Sequence, residues 1–60
     1  MHNLKRVRKA KQVTQEKLAE LTGINRAALS LYETGKQSPS VMTAHKIAQA
    51  LDCTIDELVV

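Results

Sequence analysis

Tryptophan and phenylalanine are missing from these sixty residues, and tyrosine occurs once, at Tyr32. Any core must therefore be aliphatic. A single cysteine, Cys53, excludes an intrachain disulfide framework, and nothing stands at metal-ligand spacing from it. That usage fits a reduced cytosol better than secretion. No apolar run approaches the roughly 20 residues a membrane span needs. The opening "MHNLKRVRKAK" lacks the apolar centre of a signal peptide. The expectation is a soluble, cytoplasmic protein with no membrane partner. Period-2 alternation of β-branched residues is also lacking, so no segment reads as strand. His2 and His45 have no ligand partner at useful spacing. No nucleophile–base pair stands out among Ser30, Ser38, Ser40, Cys53 and these histidines, and no glycine-rich phosphate loop exists. These absences argue against an enzyme, and no metal or cofactor is expected.

What is present is charge, unevenly placed. Residues 1–13 carry Lys5, Arg6, Arg8, Lys9 and Lys11 with no acid, a net +5, whereas residues 14–36 balance to zero and residues 37–60 carry −2. A basic first segment attracts polyanions such as nucleic acid, and it is equally compatible with a solvated helix face. Sixty residues make one domain, 1–60, which buries only about 60% of its unfolded surface.

Every segment reads as helix. Leu4, Val7 and the stem of Lys11 form one stripe, giving a first helix over about residues 3–11. Thr14 can cap a second helix running to Thr22, with Leu18, Ala19 and either Leu21 or Thr22 inward. Lys17 stands where an acid would complete a capping box. Gly23 suits the left-handed position after that helix, and Ile24 can pack back onto it. Asn25 can cap a third helix to about Thr34 that buries Ala28, Leu29 and Tyr32, with Gly35 as its stop. Ser40 caps a fourth, whose apolar positions are Val41, Ala44, Ile47, Ala48 and Leu51. "TIDE", Thr54 to Glu57, is a capping box that opens a short fifth helix with Ile55, Leu58 and Val59.

The second and third helices, joined by about three residues with glycine at the turn, match a helix-turn-helix pattern, though an ordinary helical hairpin shares that signal. Ala19 is small where the third helix crosses, and Leu18 and Leu29 fill the wedge. From Leu4 to Leu58, and most specifically in "TQEKLAELTGINRAALSLYETGK" and "KIAQALDCTIDEL", the chain resembles the lambda-repressor/Cro-like (XRE-type) helix-turn-helix family. The resemblance implies an all-α, five-helix domain that binds double-stranded DNA, usually as a dimer, and usually regulates transcription.

Carried over by position, it implies that Gln15 meets a DNA phosphate at the start of the second helix. It places Asn25, Arg26, Ala27, Ser30 and Leu31 facing the major groove. Arg26 can grip guanine O6 and N7 or a phosphate; Ala27 and Leu31 offer apolar contact, and Ser30 donates or accepts. Small side chains on this helix let it sit deep in the groove. Arg8 and Glu33 match a family ion pair between the first and third helices, with Arg8 also a phosphate candidate. Arg6 and Lys36 are further phosphate candidates or plain surface charges. Three departures from the family pattern bear on this reading: Gln12 replaces a common glycine and can be held at positive φ, Lys17 replaces the capping-box acid, and Leu31 replaces a polar or basic reader.

The expected function is a sequence-specific, double-stranded-DNA-binding transcriptional regulator, a repressor by operator occupancy. A homodimer through the fifth helix is expected, because "IDELVV" carries more apolar residues than one buried stripe requires. The competing expectation is an antitoxin-like interaction protein that binds a partner and represses its own promoter, although no separate neutralising segment is visible.

Overall fold

The computed structural model describes residues 1–59, and five helices account for most of them: α1 (Leu4–Ala10), α2 (Gln15–Thr22), α3 (Arg26–Thr34), α4 (Val41–Ala50) and α5 (Ile55–Val59). Each sends one aliphatic side chain to a common centre. Leu4, Leu18, Leu29, Ile47 and Leu58 are wholly enclosed, and Leu51, just past the end of α4, joins them. Each such burial stabilises by about 1.5–3 kcal/mol relative to exposure. Around this centre pack Val7, Val13, Ala19, Ile24, Tyr32 and Ile55. Helix α2 lies against α3 and α4, and α5 closes the far side against α1 and α4. The Asn3 amide donates to the Leu58 carbonyl at 2.9 Å, which fastens the start of the chain to the last helix. Principal extents of 21 × 20 × 19 Å describe a nearly spherical body. This is the all-α, five-helix fold the resemblance implied.

The helix starts follow from local chemistry. Thr14 Oγ1 accepts the Lys17 amide, Asn25 Oδ1 the Ala27 amide, Ser40 Oγ the Thr43 amide and Thr54 Oγ1 the Glu57 amide, at 2.7–3.2 Å. Each satisfies an amide that the helix itself leaves without a partner. The ends are equally regular. The first four helices each stop at a residue with positive φ: Gln12 (61°), Gly23 (73°), Gly35 (77°) and Asp52 (54°). After α1, the Gln12 amide reaches Lys9 O and the Val13 amide reaches Arg8 O. After α4, Asp52 and Cys53 repeat the pattern on Gln49 and Ala48. These are two Schellman motifs, built with glutamine and aspartate where glycine carries no Cβ penalty.

One expectation is corrected and one open alternative is decided. Val41, one of the apolar positions expected of α4, is 80% exposed. It is the first residue of the helix, and helical side chains lean toward the N-terminus, so it projects past the core. On α2, Thr22 rather than Leu21 turns inward, its hydroxyl donating to Leu18 O at 2.7 Å. Leu21 falls about 100° round the helix from Thr22 and is exposed. The first helix is also shorter at both ends than the apolar stripe suggested, since Asn3 and Lys11 serve as its flanking caps. Cys53 half-buries beside α4; burial first, and the Glu57 and Asp52 carboxylates after it, push its thiol above the ordinary 9.0 against an opposing pull from Lys11. At neutral pH it is an uncharged packing group.

Candidate nucleic-acid interface

The turn between α2 and α3 takes three residues, Gly23, Ile24 and Asn25. Gly23 reverses the chain at φ 73°, where a Cβ would be strained, and its amide closes on Ala19 O at 2.8 Å. The Thr22 hydroxyl accepts the Ile24 amide at 3.2 Å, and Ile24 packs into the core. Asn25 then starts α3. The angle between the helices is thus held by a left-handed glycine, a buried isoleucine and an asparagine cap, with Leu18 and Leu29 enclosed between them.

Helix α3 has two unlike faces. Ala28, Leu29, Tyr32 and Glu33 turn inward, while Ala27, Ser30, Leu31 and Thr34 form an exposed row at i, i+3, i+4 and i+7. Asn25 and Arg26 extend this row past its N-terminal end, also exposed. All five residues assigned to the groove therefore lie on one accessible surface. The Asn25 side-chain oxygen is already committed to the Ala27 amide at 2.7 Å, so its NH2 group is what it can offer outward.

Behind this surface lies a polar cluster that joins three helices. Arg8 Nε donates to Glu33 Oε2 at 2.7 Å and Nη2 to Oε1 at 3.3 Å, while Nη1 donates to the Val13 carbonyl at 2.9 Å. The two side chains are only 9% and 4% exposed. Gln15 Nε2 donates to the same Glu33 Oε1 at 3.0 Å. One carboxylate therefore fixes Arg8 of α1, Gln15 at the first position of α2, and α3 itself. Among the described residues no buried side-chain nitrogen or oxygen lacks a partner. Gln15 is half-buried, and its amide nitrogen keeps a second hydrogen beyond the one Glu33 takes.

The remaining basic residues are dispersed. Arg26 Nη1 donates to Glu16 Oε1 at 3.1 Å across the turn, with both side chains more than half exposed. Lys36 is exposed beyond Gly35, its amide closing α3 on Leu31 O at 3.0 Å. Arg6 is not brought together with Arg8 or Gln15. Two residues along α1 is about 200° round the helix. Its Nε donates to Asn3 Oδ1 at 3.3 Å, and it lines a groove with Asp56 and Glu57. Sequence reasoning missed Glu16, although opposite charges flanking the turn were the available signal. It also missed that Gln15 and Arg8 share one carboxylate, a meeting of three helices that no local pattern announces.

Two short packed helices, α2 and α3, joined by a three-residue turn with one left-handed glycine, with α3 exposed on one face and the N-terminus of α2 held by Glu33, define a helix-turn-helix domain. Residues 4–58 match the helix-turn-helix family, and the chain belongs to its XRE-type branch, a family of DNA-binding transcriptional regulators. The chain is 41% identical over 56 residues to YqaE of Bacillus subtilis, named an HTH-type transcriptional regulator, covering 93% of this chain and 48% of that one. A regulator of the same description from Methanothermobacter thermautotrophicus is 48% identical over 44 residues, or 73% of this chain and 64% of the relative. BcrR of Enterococcus faecalis, named an HTH-type transcriptional activator, is 40% identical over 55 residues, 92% of this chain and 27% of its own length. The chain thus spans about half the length of the Bacillus relative. Among the described residues no helix is long and apolar enough to cross a membrane.

Proposed function

We propose that this domain binds a specific double-stranded DNA operator by inserting α3 in the major groove, and that it represses transcription by occupying that operator. The reading rests on one observation: the exposed face of α3 carries Asn25, Arg26, Ala27, Ser30 and Leu31, while Arg8 and Glu33 behind it are paired inside the fold. A helix presenting short side chains, one arginine and one asparagine amide suits close approach to base edges. Arg26 reads guanine, Ser30 donates or accepts, and Ala27 and Leu31 meet thymine methyl groups. Gln15 and Lys36 bind phosphate, Gln15 through the hydrogen that Glu33 leaves free. Arg6 contributes a more remote phosphate contact. Arg8 acts mainly from behind, since its three bonds hold Glu33 and the α1–α2 turn in place.

The functional unit is a homodimer formed through α5. Val59 is 44% exposed there, beside an apolar groove lined by Met1, Pro39, Val41, Ala44 and Ile55. Two copies place two α3 helices on successive major-groove faces and double the surface available for specific binding.

Duplexes selected from a random library, followed by a panel of single-base-pair substitutions, test the reading. Arg26→Ala is expected to cost about 1–3 kcal/mol and to relax preference at one base pair per half-site. Gln15→Ala is expected to weaken all sequences about equally. If Arg26→Ala weakens every duplex in proportion, Arg26 is a phosphate contact and readout falls to Ala27, Ser30 and Leu31. A wild-type affinity that stays flat between low and physiological salt rules out the DNA reading altogether.

A further inference from the structure

Arg26 is the first residue of α3, where the partial positive charge of the helix N-terminus disfavours a cation, and no acid occupies that first turn. Its charge is met instead from the neighbouring helix, by Glu16 in the first turn of α2. The bond uses Nη1 alone, at 3.1 Å. A guanidinium has a second donor edge, formed by Nε and Nη2, and that edge can make a two-bond contact with guanine O6 and N7 while Nη1 stays bound to Glu16. Among the described residues no acceptor engages it. The pair spans the Gly23 turn, whose amide closes on Ala19 O at 2.8 Å and whose two helices share the enclosed Leu18 and Leu29.

We infer that Glu16 is a specificity-determining residue that acts through Arg26, a reading that rests on the proposed docking of α3 in the groove. It holds the guanidinium by one nitrogen so that the opposite edge points outward. It also offsets the arginine charge, which lowers the attraction to bare phosphate that every sequence shares. A free arginine swings between bases and backbone; a tethered one is pre-positioned for a base. Glu16 is therefore a positioning residue, and its loss gives tighter but less selective binding.

The test compares the selected operator with an unrelated duplex of the same length, over a range of salt concentrations. Glu16→Ala is expected to bind the unrelated duplex several-fold more tightly. Its log-affinity against log-salt slope should steepen by about 0.9, as one further phosphate contact gives. The preference for the base pair facing Arg26 should fall several-fold at the same time. Glu16→Gln keeps a carbonyl acceptor for Nη1 and should retain most of that preference while sharing the steeper slope. In an Arg26→Ala background, Glu16→Ala should leave base preference unchanged. The inference is overturned if Glu16→Ala leaves the ratio of operator to unrelated affinity intact. It is equally overturned if Glu16→Ala changes that ratio as much without Arg26, because the carboxylate then acts by its own repulsion of DNA. Wild-type protein that binds no duplex at low salt overturns both this inference and the groove-docking reading. Wild-type binding with an indifferent Glu16 overturns this inference alone.

Discussion

Glu33 is one carboxylate with three donated hydrogen bonds, two from Arg8 and one from Gln15, in a side chain that is 4% exposed. A buried ion pair adds little over a well-packed apolar pair, but stripping one member leaves the other charge uncompensated. Glu33→Ala is therefore expected to destabilise the domain by about 3 kcal/mol, since it strands the Arg8 guanidinium behind α3. Glu20, whose ion pair among the described residues is an exposed 3.8 Å contact to Lys17, supplies the comparison, and Glu20→Ala should barely move the unfolding midpoint. Equal and small shifts for the two variants in denaturant titrations would make Glu33 an ordinary surface acid. A second residue-scale expectation concerns Gln12 at φ 61°. A left-handed non-glycine costs roughly 1–2 kcal/mol, and glycine returns part of that gain as chain entropy when the protein unfolds. Gln12→Gly should thus stabilise by up to about 1 kcal/mol, visible as a higher thermal midpoint. A clear loss of stability would mean that contacts of the Gln12 side chain outweigh its backbone strain.

The elements were legible in the chain wherever their punctuation is local. Thr14, Asn25, Ser40 and Thr54 mark four helix starts, and each is seen accepting the expected amide. Gly23 and Gly35 mark two stops. The other two stops are less visible, because Asp52 takes the left-handed position with no glycine to announce it, and only a missing family glycine hinted at Gln12. Val41 misled because periodicity assigns a face to a residue without knowing where the neighbouring helix ends. The candidate site shows the same division. Its exposed row follows from the period of α3, whereas the Arg8–Glu33–Gln15 cluster depends on three helices meeting, and only the family resemblance pointed to its ion pair. Asn25 is a cap in the fold and, on the proposed reading, also a groove residue, and the two roles separate by substitution. Asn25→Ala removes the acceptor for the Ala27 amide and should cost about 1 kcal/mol, lowering the melting temperature by roughly 4–8 °C in a domain this size. Asn25→Asp keeps a capping oxygen and places a favourable anion at the helix N-terminus, so its melting temperature should hold. It also sets a negative charge against the DNA and removes the NH2 donor, so duplex affinity should fall more than for Asn25→Ala. An aspartate variant that melts early, or binds as well as wild type, would contradict one role or the other.

At the scale of the whole molecule, the formal charge of +3 is a difference between a basic first segment and an acidic last one, and the fold engages some of the basic side chains internally. Arg8 is consumed by Glu33, Arg26 is tethered to Glu16, Lys11 Nζ donates to the Asp52 carbonyl at 3.4 Å, and Arg6 lines a groove with two acids of α5. Arg8, Arg26 and Lys17 aside, the other six Lys and Arg form no ion pair among the described residues and keep their charge for phosphate. One 60-residue copy nonetheless offers little surface, so alone it should bind a specific duplex weakly. On the proposed homodimer reading, affinity then depends on a second copy. The available surface lies where α5 meets the start of α4: Val59, Val41 and the intervening apolar groove, rimmed by Ser38 and Pro39 and with no basic residue lining it. In the proposed homodimer the exposed valines there would gain from burial against an identical surface, and a two-fold axis through α5 would make that contact self-complementary. Val59→Asp should leave the helical content unchanged, because Leu58 rather than Val59 serves the core. It should nonetheless place like charges across the two-fold axis. Sedimentation should then report a monomer, and affinity for a full palindromic operator should drop toward that for an isolated half-site. Half-site affinity itself should be unaltered. A Val59→Asp protein that still binds the full operator as tightly as wild type would place the pairing surface elsewhere. Loss of half-site binding as well would mean that the substitution reached α3 through the fold rather than through a partner.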